Sequence, residues 1–121
     1  MENDKNKVYD LKVRTREFSI RVLKFRNKLI DSKVEFFLIN QLFRSCTSIG
    51  ANIHEAKGSS SKKEFCRYYE IALRSANESE YWLEIVNELF QIEETKLLLN
   101  EVRELKKILA AIIIKLKSSV G

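Results

Sequence analysis

The chain has 121 residues, of which 45% are hydrophobic and 32% are charged, with no proline and only three glycines. This length suits one domain with a core large enough to fold without bound metal or disulfides. A sheet protein needs many turns, so the near absence of proline and glycine favours an all-helical protein. The formal net charge of +5 is modest, and solvated charge with no partner is compatible with it.

The hydrophobic residues are spread along the chain and are not collected into a membrane segment. No apolar run reaches the roughly 18 residues that span a bilayer, and no hydrophobic signal-peptide region follows the first residues. We therefore expect a cytoplasmic protein. Cys46 and Cys66 have no spacing typical of a metal site, so reduced, buried thiols are expected.

Apolar residues recur in alternating steps of three and four along four stretches, which is the period of one helix face. The stripes predict four helices, over residues 7–30, 33–57, 62–91 and 95–118. Helices of this length joined by short loops are antiparallel neighbours, so the predicted fold is an all-α, up-down-up-down four-helix bundle in one domain. The first stripe consists of Val8, Leu11, Thr15, Phe18, Val22, Phe25 and Leu29.

The breaks between the predicted helices carry signals for helix ends. Residues 32–35 (SKVE) and 61–64 (SKKE) both read as capping boxes, in which the serine oxygen accepts a backbone N–H near the helix start. Gly58 is a stop signal for the second helix. The third break, near residues 92–95, carries weaker signals.

The only histidine of the chain, His54, precedes Glu55 and so resembles half of a zinc-protease motif. That motif needs a second histidine four residues after the first, but position 58 is glycine. A Cys46 nucleophile would also lack a base, because His54 lies about 12 Å further along the same predicted helix at 1.5 Å per residue. We therefore expect no enzymatic activity, no metal and no cofactor, and an ordinary surface or interface role for His54.

Small and polar residues in the second predicted helix favour close packing over chemistry. Ser45, Ser48 and Gly50 allow another helix to approach, while the guanidinium of Arg44 needs a partner if it is buried. If the second and third helices form a hairpin, Arg44 comes within one turn of Glu78. We predict an interhelix contact between these two side chains, with two separately solvated charges as the alternative.

The sequence QLFRSCTSIGANIHEA, followed by EFCRYYEIALRSANESEYWLEI, resembles the bacterial four-helix-bundle family of proteins encoded in intervening sequences of 23S ribosomal RNA genes. One departure is that Ala56 follows the motif glutamate and glycine is delayed to Gly58, which shifts the expected loop. The family motif falls on residues of the second and third predicted helices. These are Gln41, Leu42, Arg44, Ser48, Ile49, Asn52, Ile53 and Glu55, then Ile71, Ala72, Ser75 and Glu78.

The resemblance also implies partners. The family includes accessory proteins of diversity-generating retroelements, which form homopentamers and bind nucleic acid and a reverse transcriptase. For this chain the resemblance therefore implies a homo-oligomeric ring, with a pentamer suggested, and RNA, DNA, a reverse transcriptase or another nucleoprotein as possible partners.

Apolar residues outside the four core stripes predict self-association, because a lone bundle buries only one stripe on each helix. The second helix adds Phe36, Ile39 and Phe43 away from its main stripe. A monomer with broad stripes is the alternative. The candidate interface residues are Tyr9, Val13, Ile20, Leu23, Ile71, Trp82 and Ile85.

Charge is distributed unevenly along the chain. Residues 1–30 hold nine Lys/Arg against four Asp/Glu, residues 59–95 four against eight, and residues 96–121 six against two. In the predicted bundle the first and fourth helices are neighbours, so their cations can form one basic wall. The basic wall consists of Lys7, Arg14, Arg21, Lys24, Lys28, Lys96, Arg103, Lys106, Lys107 and Lys117.

Three readings of the basic wall are compatible with the sequence. The wall can bind RNA or DNA phosphates with strong salt dependence, it can contact the acidic side of a neighbouring subunit in a ring, or it can be solvated. Membrane binding is disfavoured, because the apolar faces of these helices are needed for the bundle. We expect a non-enzymatic oligomer that binds nucleic acid or a nucleoprotein partner, with a purely structural or protein-binding scaffold as the alternative.

Overall fold

The computed structural model describes the backbone of residues 4–120 and the side chains of residues 11–118. Every regular element in this part is helical, which confirms the predicted all-α class. None of the described helices combines the length and the apolar character that crossing a bilayer requires. The elements are α1 (Asp4–Lys24), α2 (Arg26–Asp31), α3 (Phe36–Glu55), a short 3-10 helix (Ala56–Gly58), α4 (Lys62–Phe90) and α5 (Glu93–Val120).

The long helices form a four-helix bundle in which α1 and α4 each pack against both α3 and α5. Ion pairs join Arg14 to Glu101 and Arg21 to Glu94, so residue numbers rise along α1 as they fall along α5. Contacts between α3 and α4, and between α4 and α5, run in the same inverse sense. Neighbouring helices are therefore antiparallel. The end of the bundle at which α1 and α4 finish is called the lower end, and the opposite end the upper end.

The core follows the heptad stripes of the sequence. All six described members of the first stripe, from Leu11 to Leu29, are buried, and Val8 lies outside the described side chains. One prediction about the core is wrong, because Ile39 is buried and does not belong to the outer surface of its helix. The neighbouring Leu38 is only half-buried, whereas Ile39, Leu42 and Cys46, which also follow steps of three and four, are all buried.

The first predicted helix is divided into α1 and α2 at Phe25. The Phe25 N–H donates to the Val22 carbonyl oxygen at 3.1 Å, three residues back instead of four, which tightens the chain locally. Phe25 and Leu29 nevertheless both remain in the core. The division therefore leaves the apolar stripe unbroken.

The capping box predicted at residues 32–35 is wrong, because Ser32 is at the end of α2 and the N-cap of α3 is Glu35. Lys33 has a left-handed φ of 67°, and its N–H donates to the Ile30 carbonyl oxygen at 3.0 Å. The Val34 N–H donates to the Leu29 carbonyl oxygen, also at 3.0 Å. These two bonds make a Schellman motif, which satisfies the last carbonyls of a helix. The N-cap of α3 then has no side-chain hydrogen bond.

The second predicted capping box is confirmed at its serine. Ser61 Oγ accepts the Glu64 N–H at 3.1 Å, but the Glu64 carboxylate accepts the Ser60 hydroxyl at 3.1 Å and not the Ser61 N–H. Gly58 ends the 3-10 helix without a positive φ, so the predicted glycine stop does not use the left-handed region. That region is used instead by Gln91, with φ of 49°, at the end of α4.

Candidate nucleic-acid and subunit interfaces

Arg44 and Glu78 join α3 to α4, which confirms the contact predicted between them. The Arg44 guanidinium also donates to Gln41 Oε1 at 2.9 Å. On the other side, the Trp82 Nε1–H donates to Glu78 Oε2 at 3.0 Å. The Glu78 carboxylate therefore accepts hydrogen bonds from both helices and fixes the orientation of the only tryptophan.

A second polar contact lies about one turn further up the same seam. Ser48 Oγ and Ser75 Oγ are hydrogen-bonded at 2.9 Å. Asn52 Nδ2 donates to the Ser48 carbonyl oxygen at 2.9 Å and to Ser48 Oγ at 3.1 Å. Glu55, in contrast, is exposed at the end of α3. Two pairs of motif residues, Arg44 with Glu78 and Ser48 with Ser75, therefore connect α3 to α4, and Gln41 and Asn52 bond to these pairs from within α3.

The two cysteines are free and buried. Burial raises the pKa of the Cys46 thiol to about 12 and also raises the pKa of Cys66, so both thiols are protonated at neutral pH. Thiols without thiolate character are poor nucleophiles and poor metal ligands. Among the described residues, no group of three or more His, Cys, Asp or Glu side chains is arranged to hold a metal ion.

Three cations of the predicted basic wall lie at the seam between α4 and α5, away from α1. Lys106 Nζ and Arg103 Nε contact the Glu80 carboxylate at 2.6 and 2.8 Å, and Lys117 Nζ contacts Glu70 at 2.9 Å. Hydrogen bonds from Lys106 and Arg103 lower the pKa of Glu80, and the hydrogen bond from Lys117 lowers the pKa of Glu70. These cations neutralise acidic α4, so the structure does not bring them together with the cations of α1.

The part of the wall between α1 and α5 is also partly neutralised. Arg14 pairs with Glu101 at 2.7 Å and Arg21 with Glu94 at 3.5 Å, while within α5 two further lysines approach carboxylates three residues earlier. Lys7 lies outside the described side chains. The two pairs within α5 are Lys96 with Glu93, at 3.9 Å, and Lys107 with Glu104, at 3.8 Å.

Lys24 and Lys28 are exposed and differ from the rest of the wall. Neither forms an ion pair with any residue in the described part of the chain. Together with Arg21 they border a cleft at the lower end of the bundle, on the side where α5 begins. The other residues of this cleft are Phe25, Ser32, Phe90, Gln91, Ile92, Glu93 and Glu94.

A groove between α1 and α3, which the sequence did not predict, is also rich in cations. Lys12 and Arg16 come from α1, and His54 and Lys57 come from the end of α3 and the 3-10 helix. The sequence does contain a signal for this groove. Lys12 and Arg16 are four residues apart, and His54 and Lys57 are three apart, and each of these spacings places two residues on one helix face. The remaining lining residues are Val13, Ser19, Ile20, Gly50, Ala51 and Ile53.

The candidate interface residues lie on two different sides of the bundle. On α1, Val13, Ile20 and Leu23 are 40, 36 and 48% exposed, and the first two line the groove described above. Tyr9 lies outside the described side chains. On α4, the residues Ile71, Trp82 and Ile85 are half-buried.

The α4 side carries an aromatic cluster. The rings of Phe37 and Trp82 meet edge to face with centroids 5.8 Å apart, and Tyr81 meets Trp82 with centroids 5.0 Å apart. Phe37, Tyr81 and Leu89 are 60, 55 and 63% exposed. We call Phe37, Tyr81, Trp82, Ile85 and Leu89 the aromatic face.

The fold and these surfaces define a small four-helix-bundle protein with polar contacts between its helices and exposed cationic and aromatic surfaces. The model of the 23S rRNA-intervening sequence protein family matches residues 6–111. The chain therefore belongs to the 23S rRNA-intervening sequence protein family, as its motif in α3 and α4 predicts.

A solved structure agrees with this assignment. It is the crystal structure of a protein with unknown function from the S23 ribosomal protein family of Bacteroides thetaiotaomicron VPI-5482. The two chains are 38% identical, with a TM-score of 0.82, over 88% of this chain and 97% of that one. A search of curated proteins found no match. Neither the family description nor that of the solved relative names an enzymatic activity.

Proposed function

We propose that this protein is a non-enzymatic, nucleic-acid-binding protein that contacts phosphates through the lower end of α1 and α2. The observation that carries the proposal is that Lys24 and Lys28 are exposed, one helical turn apart, and without an ion pair to any described residue. A lysine without a carboxylate partner can neutralise a phosphate and release its condensed counterion.

Arg21 extends this surface by one turn. Its contact with Glu94 is 3.5 Å long and solvent-exposed on both sides, and such a pair contributes at most about 1 kcal/mol. A phosphate can therefore replace Glu94 as its partner. Three phosphate contacts give a slope of about −3 in a plot of log affinity against log salt concentration. Binding by one subunit is consequently weak, and several subunits in one oligomer increase it through avidity.

Reversing the charge of both lysines, in Lys24→Glu/Lys28→Glu, is expected to lower the affinity for RNA or duplex DNA by about tenfold or more at low salt. The salt slope is expected to become shallower by about two, because two phosphate contacts are lost. Fluorescence anisotropy of labelled RNA and DNA across a salt series, with oligomer mass followed by light scattering, measures both quantities.

The control is Lys62→Glu/Lys63→Glu, which makes the same change in net charge in the exposed first turn of α4. This turn lies at the upper end of the bundle, so its variant is expected to bind like the unmodified protein. An equal loss in both variants, or no binding by the unmodified protein at low salt, contradicts the proposed surface.

We also propose that the protein acts as a homo-oligomeric scaffold, with the aromatic face contacting a second copy. The support is the exposure of Phe37, Tyr81 and Leu89 around Trp82, because exposed apolar patches mark interaction surfaces. Further large apolar side chains are exposed outside the aromatic face, including Leu23 on α1 and Phe36 at the start of α3. Two different surfaces suit a head-to-tail contact that closes into a ring, and the family resemblance favours five subunits.

Introducing a charge into the aromatic face tests this assembly. Leu89→Lys is expected to reduce the mass measured by light scattering toward that of one 14.2 kDa chain, because a buried ammonium without a partner opposes association. Ile114→Lys is the matched control, since Ile114 is 70% exposed on α5 and outside the aromatic face. A single-chain mass for the unmodified protein, or equal dissociation of both variants, contradicts the scaffold proposal.

A further inference from the structure

The groove between α1 and α3 is a concave site of about 660 Å³, within the usual size range of small-molecule sites. The base of the groove lies where α1 and α3 approach each other closely, at Gly50. A Cβ atom at this position would lie 3.1 Å from the Thr15 carbonyl oxygen and 3.4 Å from Ser19 Oγ. Ser19, Gly50 and Ala51 therefore leave an open floor between the longer side chains of the two helices.

The charged residues of the groove all have the same sign. Lys12 and Arg16 lie on its α1 side and Lys57 lies on its α3 side, together with His54. The described residues that line the groove include no Asp or Glu. Lys12, Arg16 and Lys57 form no ion pair with any described residue, in contrast to the cations of the α4 and α5 seam.

We propose that this groove binds a ligand that carries two or more linked phosphate groups. Its three cations come from two helices and face one concavity, so a ligand with several adjacent negative charges can contact all of them. The planar guanidinium of Arg16 can donate two parallel hydrogen bonds to one phosphate, while each lysine acts as a point charge that suits a neighbouring phosphate. Val13, Ile20 and the buried Ile53 add apolar surface beside these cations.

A polyphosphate and a single-stranded nucleic acid share this chemistry. The groove is built from residues other than Lys24 and Lys28 and lies nearer the upper end of the bundle. It therefore does not depend on the proposed binding surface at the lower end, and the two sites can be tested separately.

The test uses Ala51, which is exposed and lines the groove. Ala51→Glu places a carboxylate in the site, and Ala51→Gln places a side chain of nearly the same shape without the charge. Both residues are good helix formers, so both variants are expected to fold. The probes are inorganic tripolyphosphate, measured by isothermal titration calorimetry, and a labelled single-stranded RNA, measured by anisotropy, both at low salt.

Ala51→Glu is expected to weaken binding of the probe by about tenfold, because the new carboxylate repels the phosphates across a few ångströms. Ala51→Gln is expected to stay within about twofold of the unmodified protein. If tripolyphosphate binds, linked phosphates alone are a sufficient ligand. If the RNA binds and tripolyphosphate does not, the ligand is a nucleic-acid strand.

A second pair of variants removes native charge from the groove. Lys12→Gln/Arg16→Gln is expected to weaken binding as Ala51→Glu does, and Lys62→Gln/Lys63→Gln, with the same change in net charge outside the groove, is expected to have little effect. Equal binding by Ala51→Glu and Ala51→Gln overturns the groove proposal, as does failure of both probes to bind. If Lys24→Glu/Lys28→Glu abolishes RNA binding and Ala51→Glu has no effect, the groove proposal is overturned and the proposed surface at the lower end is supported. If Ala51→Glu abolishes RNA binding and Lys24→Glu/Lys28→Glu has no effect, the lower surface is overturned and the groove is supported.

Discussion

Phe18→Ala is expected to lower the free energy of unfolding by about 3–5 kcal/mol, because the phenyl ring is fully buried in the core and alanine leaves a cavity there. A loss of this size is a large fraction of the roughly 5–15 kcal/mol that stabilises a typical domain. Urea denaturation followed by circular dichroism measures the loss as a shift of the unfolding midpoint to lower urea concentration.

Phe37→Ala is the matched control, because it makes the same chemical change at a ring that is 60% exposed. Its expected cost within one subunit is below about 1 kcal/mol, as for most surface substitutions. At protein concentrations low enough to separate the subunits, equal losses for the two variants would show that Phe18 does not occupy the core.

Alkaline pH is expected to destabilise the fold more steeply than surface ion pairs alone would predict. Burial raises the pKa of Cys46 to about 12, above the value of about 8.5 for an exposed thiol. Between these values the unfolded chain has lost a proton that the folded chain still holds, so raising the pH favours unfolding. One such proton lowers the free energy of unfolding by about 1.4 kcal/mol for each pH unit.

Tyr69 adds to this dependence at higher pH. Burial also raises the pKa of its hydroxyl to about 12, so its contribution starts near pH 10, where an exposed tyrosine titrates. Urea denaturation at a series of pH values between 8 and 11 measures the slope. Cys46→Ser is expected to flatten the slope from about pH 9, and Tyr69→Phe only above about pH 10. Unchanged slopes in both variants would mean that neither group resists ionisation in the folded protein.

The heptad pattern predicted the core of α1 because a stripe with steps of three and four can face only one direction on a helix. The same pattern failed locally at Ile39, because Ile39, Leu42 and Cys46 also follow steps of three and four, so two overlapping stripes fit the sequence of α3. The capping box at residues 32–35 failed for another reason. The Schellman motif needs a left-handed residue, and Lys33 gives little sequence signal for that conformation.

The candidate sites were harder to predict because a net charge assigned to a whole helix does not say which face carries it. Successive residues of a helix are about 100° apart, so Glu101 faces α1 while Arg103 faces α4 on the same helix. Arg103, Lys106 and Lys117 were therefore assigned to the wrong seam. The groove was missed because Lys12 and Lys57 become neighbours only once the facing sides of α1 and α3 are known.

Gly50 has a consequence for any ligand of that groove. Alanine is favoured over glycine inside a helix by about 1 kcal/mol, but here its methyl group would press against the main chain of α1 at Thr15. The main chain of α1 at Thr15 would have to shift away from α3 by a few tenths of an ångström, which changes the spacing of the two helices that carry Lys12 and Lys57. The distance between the cations on the two sides of the groove thus depends on Gly50, which has no side chain. A substitution at Gly50 can therefore change the affinity of the groove for its ligand without changing any charged residue.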